Sequence, residues 1–117
     1  MARRPRAYVP ERDIVYLQFN PQAGHEQAGH QPALVLSPAV YNRRSSLMLC
    51  CPMTTHKKGY PFEVELPQGL KAKGAILCDQ IKSLDWRARR ATRVGSVPDV
   101  VMQEVTARIL VLVDPPE

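Results

Sequence analysis

Between residues 14 and 81 the chain is a succession of short apolar runs, none longer than seven residues, each cut off by proline, glycine or a cluster of polar turn residues. Strands that short and turns that frequent predict a mainly β fold: a small, strongly curved antiparallel sheet or barrel closed by helical cover. The first run, Ile14-Val15-Tyr16-Leu17-Gln18-Phe19, is β-branched and aromatic and stops at Asn20-Pro21. The second, residues 33–37, follows Pro32. Residues 47–53 are almost continuously apolar, which predicts a strand buried on both faces, and Pro52 lacks an amide donor, which predicts a sheet edge or a bulge there. Phe62-Glu63-Val64-Glu65-Leu66 alternates apolar and acidic residues, the pattern of a strand with one wet face, and residues 75–81 form the next apolar strand. Residues 38–46 read as a connection through the polar turn Arg43-Arg44-Ser45-Ser46, and residues 82–92 as a basic segment carrying the only tryptophan, Trp86.

One helix is predicted, over residues 97–113. Ser96 is placed to cap it with Asp99 as its capping pair, and Pro98 falls where a first-turn proline is tolerated. Val101, Val105, Ile109 and Leu112 share the face expected to pack on the sheet.

A chain of 117 residues suffices for one domain and one core, with the Arg- and Pro-rich residues 1–10 as a flexible arm. Hydrophobic residues at 44% and charged residues at 23% exclude a disordered composition. No apolar run approaches the ~20 residues of a membrane span, and the basic N-terminus has no apolar segment behind it, so a cytoplasmic location is expected. Sixteen Lys and Arg against eleven Asp and Glu leave +5, a balance compatible with binding nucleic acid. Cys50, Cys51 and Cys78 lack the spacing of a metal site and read as small buried thiols, the adjacent pair pointing to opposite faces of its strand.

The segment with most chemistry is the loop at residues 20–31. It is longer than the ~4–6 residues typical of connections, carries two glycines and two histidines, and crowds Glu26, Gln27, His30 and Gln31 at the entrance of the strand that follows. Gly24-His25-Glu26-Gln27-Ala28-Gly29-His30-Gln31-Pro32-Ala33-Leu34-Val35-Leu36-Ser37 resembles the G-x-E-Q-x-G-x-R-P-A-V-V-L-S motif of the MazF/PemK/Kid family of toxin endoribonucleases, with Gln31 where the family has arginine. The opening Asp13-Ile14-Val15 with Phe19 and Pro21, the stretch Pro52-Met53-Thr54-Thr55-His56-Lys57-Lys58-Gly59-Tyr60-Pro61, and Asp79-Gln80-Ile81-Lys82-Ser83 are similar to further motifs of that family and stand in its order.

The resemblance implies an SH3-like barrel of the CcdB/PemK type, a homodimer, and an acidic MazE-like antitoxin as partner. It also implies metal-independent and cofactor-independent cleavage of single-stranded mRNA, in which the ribose 2′-hydroxyl attacks the adjacent phosphate and leaves 2′,3′-cyclic phosphate and 5′-hydroxyl ends, with growth arrest as the outcome. By resemblance Thr54 donates a hydrogen bond to the phosphate, and position 31 does acid/base and phosphate-stabilising work. Gln31 can donate a hydrogen bond but carries no charge, so a weakened enzyme is expected, whether the residue is a deliberate substitution or a natural divergence. Glu26 joins them as a candidate catalytic residue, and His25, His30 and His56 are alternative acid/base groups. Candidate RNA contacts are Phe19, Gln27, His30, Lys57, Lys58, Gln80, Lys82, Arg87 and Arg89, with Tyr60 and Trp86 available to stack on bases or to pack in the core. Two other functions fit the same residues: a gyrase-poisoning toxin of this fold, and an RNA-binding module without turnover.

Overall fold

The computed structural model describes residues 10–18 and 30–117. In chain order the elements are β1 (Asp13–Gln18), β2 (His30–Val35), α1 (Ala39–Ser45), β3 (Leu47–Thr54), β4 (Glu63–Glu65), β5 (Ala75–Leu77), β6 (Lys82–Asp85), β7 (Thr92–Ser96) and α2 (Asp99–Val113). All strand pairs are antiparallel. The sheet runs β4-β5-β3-β2-β1-β7, with β6 pairing β3 off that path. It is the expected antiparallel sheet with a C-terminal helix, but the path between β4 and β7 does not close into a barrel.

Alternation along three neighbouring strands builds two cores, because successive side chains of a strand point to opposite faces. Ile14, Leu34, Cys51 and Met53 enter one cluster, which Val64, Ile76, Val101 and Val105 complete. Val15, Leu17, Ala33, Val35, Met48 and Cys50 enter the other, closed by Leu84 and Trp86. Cys50 and Cys51 therefore do separate to opposite faces. Each fully buried Leu, Ile or Val contributes about 1.5–3 kcal/mol, so the three central strands hold most of the driving force for folding.

Pro52 is not on an edge strand. One edge of β3 pairs with β6 from Leu47 to Cys50 and with β5 at Met53 and Thr54, so the missing donor falls where β3 changes neighbours. Burial of β3 on both faces holds except at Leu49, which is exposed.

Three further expectations change. Helix α1 occupies residues read as a connection; it is short and lacks an apolar stripe, and Asn42 alone of its residues is buried. Its lock is polar: the Ser37 hydroxyl donates to Asn42 Oδ1 at 2.5 Å, Asn42 Nδ2 donates to the Ser37 carbonyl at 2.9 Å, and Trp86 Nε1 donates to the Asn42 carbonyl at 2.8 Å. The strand predicted at residues 75–81 stops at Leu77, and β6 and β7 arise in the basic and polar residues that follow, each fixed by pairing with an apolar neighbour. Finally, α2 begins at Asp99 behind Pro98 with no side-chain cap; Ser96 is instead the last residue of β7, paired with Asp13, and Asp99 forms an ion pair with Arg12. On α2, Val101 and Val105 are buried and Ile109 packs partly, whereas Leu112 is 48% exposed and does not join the packed face. Among the described residues no helix is long and apolar enough to cross a membrane.

Burial pushes the thiols of Cys50 and Cys51 up to about 12 and that of Cys78 up to about 11, from the ordinary 9.0. Because the folded values lie above the unfolded one, the unfolded chain loses protons first as pH rises. The thiols' contribution to stability is complete below pH 9.0 and is lost toward pH 11 to 12. Urea midpoints should fall over that interval in this chain, and by much less in a Cys50→Ala/Cys51→Ala/Cys78→Ala variant. Asn42→Ala removes two buried side-chain hydrogen bonds and leaves the Ser37 hydroxyl, which still accepts the Leu49 amide, without an acceptor for its proton, and should cost about 2–4 kcal/mol by urea denaturation.

Candidate functional site

The site follows from the register of three strands. Ala33 pairs with Pro52 at the end of the β2–β3 ladder; Gln31 stands two residues before Ala33 and Thr54 two residues after Pro52, and Thr54 pairs with Ala75 of β5. Gln31, Thr54 and the start of β5 thus lie together at one end of the β2–β3 ladder. Where β6 leaves β3 beyond Cys50, a cleft of about 730 Å³ opens. Its lining includes Gln31 from β2, Pro52 and Thr54 from β3 with Thr55 directly after it, Gln80 from the β5–β6 connection, Lys82 at the start of β6, and Lys73 from the turn before β5.

Four residues singled out from separate parts of the sequence therefore meet: Gln31, Thr54, Gln80 and Lys82. Thr54 Oγ1 accepts the His56 amide at 3.0 Å, which leaves the hydroxyl proton to donate into the cleft. Gln31 is exposed and offers an amide donor. The lysines provide positive charge, so the chemistry on offer is binding of an anion flanked by a hydroxyl and an amide donor. Among the described residues no three His, Cys, Asp or Glu side chains come together to hold a metal ion.

The other candidates lie elsewhere. Lys57 forms an ion pair with Glu65. The amide of Lys58 donates to the Glu63 carboxylate at 3.1 Å, while its ammonium sits 6.0 Å from the exposed Tyr60 ring. Arg87 stacks at 4.4 Å over Trp86 and donates to the Arg43 carbonyl at 3.3 Å. Arg89 donates to the Gln18 carbonyl at 2.7 Å, beside a second depression that also exposes Arg90. Trp86 is a core residue with its N–H engaged, not a stacking platform. The turn carrying these arginines is held by Asp85, whose carboxyl the Ala88 amide above all, with the Ser46 hydroxyl and the Arg87 amide, keeps below its usual range. His30 opens β2 opposite Gln18. Phe19, His25, Glu26 and Gln27 lie outside the described residues.

Lys73 is the cleft residue that no sequence signal marked. The clue beside it is Gly74, which adopts φ +116°, and a Cβ there would stand 2.3 Å from the Thr54 carbonyl oxygen. The bare glycine lets the β4–β5 turn lie directly on the strand that carries Thr54.

A family description matches residues 11–113: PemK-like, MazF-like toxin of type II toxin-antitoxin system. The chain is 50% identical over 107 residues to the endoribonuclease toxin MazF of Escherichia coli strain K12, covering 91% of this chain and 96% of that protein. To the endoribonuclease PemK of Escherichia coli it is 33% identical over 110 residues, covering 91% and 83%. Among solved structures, MazF from Deinococcus radiodurans matches with a TM-score of 0.83 at 49% identity, covering 91% of this chain and 96% of that one. A MazE-MazF structure from the same organism also gives 0.83, at 41% identity and with 93% and 98% covered.

Gly74 and Gly69 separate strain from contact, since both have positive φ but only Gly74 meets a neighbour. Gly69→Ala should cost about 1–2 kcal/mol in urea denaturation from backbone strain alone. Gly74→Ala must in addition displace Thr54 or the turn, and should cost at least twice as much.

Proposed function

The chain belongs to the PemK-like, MazF-like toxins of type II toxin-antitoxin systems, and from that premise we propose that its cleft is where this endoribonuclease toxin holds and cuts single-stranded RNA. What carries the reading is the convergence of Gln31, Thr54, Gln80 and Lys82 on one cleft from three separate sequence motifs. In the proposed reaction the 2′-oxygen bonds to the adjacent phosphorus and gives up its proton, the bond to the 5′ oxygen breaks, and that oxygen takes up a proton. The products are a 2′,3′-cyclic phosphate and a 5′-hydroxyl, with no metal required.

The roles follow from the groups present. The Thr54 hydroxyl donates to a non-bridging phosphate oxygen, and Gln31 donates a second, uncharged hydrogen bond from the neighbouring strand. Lys82 and Gln80 hold the chain of nucleotides at the mouth. Glu26 and Gln27, with Phe19 before them and His30 after them in sequence, are proposed to take part in proton transfer and base contacts. Lys57, Lys58, Arg87 and Arg89 are proposed to follow the RNA backbone outside the cleft. As a toxin of this family the protein has an antitoxin partner; an acidic segment of it lying on the basic cleft, and a homodimeric toxin, complete the reading. The substrate is mRNA, so the site of action is the cytoplasm.

An arginine at position 31 would present a charged fork to phosphate, and removing one charge-assisted donor from a site of this kind costs on the order of 10²–10³ in rate. The test is cleavage of a long mixed-sequence RNA in EDTA with product ends mapped. Gln31→Arg should cut at short defined motifs at least ~100-fold faster than the chain as it stands, and adding Thr54→Val should abolish the gain. Equal rates for the chain and Gln31→Arg would remove the catalytic role of position 31; no cleavage by either would leave an RNA-binding module without turnover.

A further inference from the structure

Resting on the reading of the cleft as an RNA site, we infer that Lys73 is a phosphate-contacting residue that supplies the positive charge Gln31 lacks. Its backbone is fixed from two sides. Ala75, two residues on, pairs with Thr54, and between them Gly74 lies against the Thr54 carbonyl while its own carbonyl accepts the Leu66 amide at 2.9 Å. The lysine therefore enters the cleft from the β5 side of Thr54, with Gln31 on the β2 side.

The charge of Lys73 is also uncommitted. Arg12, Lys57, Arg93 and Arg108 each pair with a carboxylate, whereas Lys73 has no ion-pair partner among the described residues. It borders the neighbouring depression where Glu65 lies, but that carboxylate is taken by Lys57. A lysine head group is a point charge on a flexible stem, able to reach a non-bridging phosphate oxygen without the planar fit an arginine needs. It forms no covalent bond in the reaction; it stabilises charge on the phosphate while the bond to the 2′-oxygen forms and that to the 5′ oxygen breaks.

Two measurements test this. Binding of a single-stranded RNA whose 2′-hydroxyls are replaced by hydrogen, followed across salt concentrations, should lose about 0.7 from the slope of log K against log salt in Lys73→Gln, the share of one phosphate contact. Lys71→Gln removes the same charge two residues away outside the cleft and should leave the slope unchanged. In single-turnover cleavage, Lys73→Gln should lower the rate at least ~10-fold in the chain as it stands and clearly less in the Gln31→Arg background, since groups serving one phosphate are non-additive. A slope unaltered by Lys73→Gln, or altered equally by Lys71→Gln, overturns the contact. Equal losses in both backgrounds, or no turnover by the parent chain, overturn the compensation. Should Gln31→Arg also fail to cut, the nuclease reading falls by itself, and the salt slope still decides whether Lys73 meets phosphate.

Discussion

The structure depends on one constraint: β3 must be apolar on both faces while serving three partners. Its alternate residues feed two separate cores, with Met48 and Cys50 on one side and Cys51 and Met53 on the other. It pairs with β2 along one edge and with β6 and then β5 along the other. A strand so placed can neither slip by one residue, which would exchange the two faces, nor continue beside β6 past Pro52. The cleft opens where β3 changes neighbour, and Gln31 and Thr54 both line it just past the last β2–β3 pair, Ala33 with Pro52. Core and site are consequences of one strand's register.

Charge adds a second level of organisation. With a net charge of +5 the molecule has cations in excess, yet several of them are spent on the fold. Arg12 ties the start of β1 to α2 through Asp99, Arg108 donates to the Pro61 carbonyl, and Arg89 reaches back to Gln18. The lysines at the cleft, Lys73 and Lys82, form no ion pair among the described residues. An excess of positive charge in composition thus gathers at the cleft where pairing stops.

The strands that were legible are those whose own residues carry an alternating or continuous apolar pattern: β1, β2, β3, β4 and β5, the last shorter than its apolar run. The α2 helix was legible from Val101 and Val105 at helical spacing, although its start lay two residues later than a Ser96 cap implied. β6, β7 and α1 were not legible, because Lys82, Ser83, Thr92, Arg93 and Asn42 have no local preference strong enough to announce an element. β6 exists because Leu47 to Cys50 offer an open edge, and α1 because Asn42 finds Ser37 and Trp86. Within the site, Gln31, Thr54, Gln80 and Lys82 stood out by motif, whereas Lys73 sits in a turn whose composition resembles any solvated loop. Lys57, Lys58, Arg87 and Arg89 stood out equally and lie outside the cleft, since spacing along the chain does not report which acid or carbonyl a long side chain will meet.

By itself the sequence determined the family, the antiparallel β class, the burial of the cysteines and the identity of the residue at position 31, all of which rest on local pattern or on motif. Only the tertiary structure decided that Pro52 marks a change of partner rather than an edge, that the sheet stays open between β4 and β7, and that Gly74 seats Lys73 beside Thr54. Those outcomes depend on contacts between residues far apart in sequence, and no local preference encodes which strand edge remains free once the others have paired.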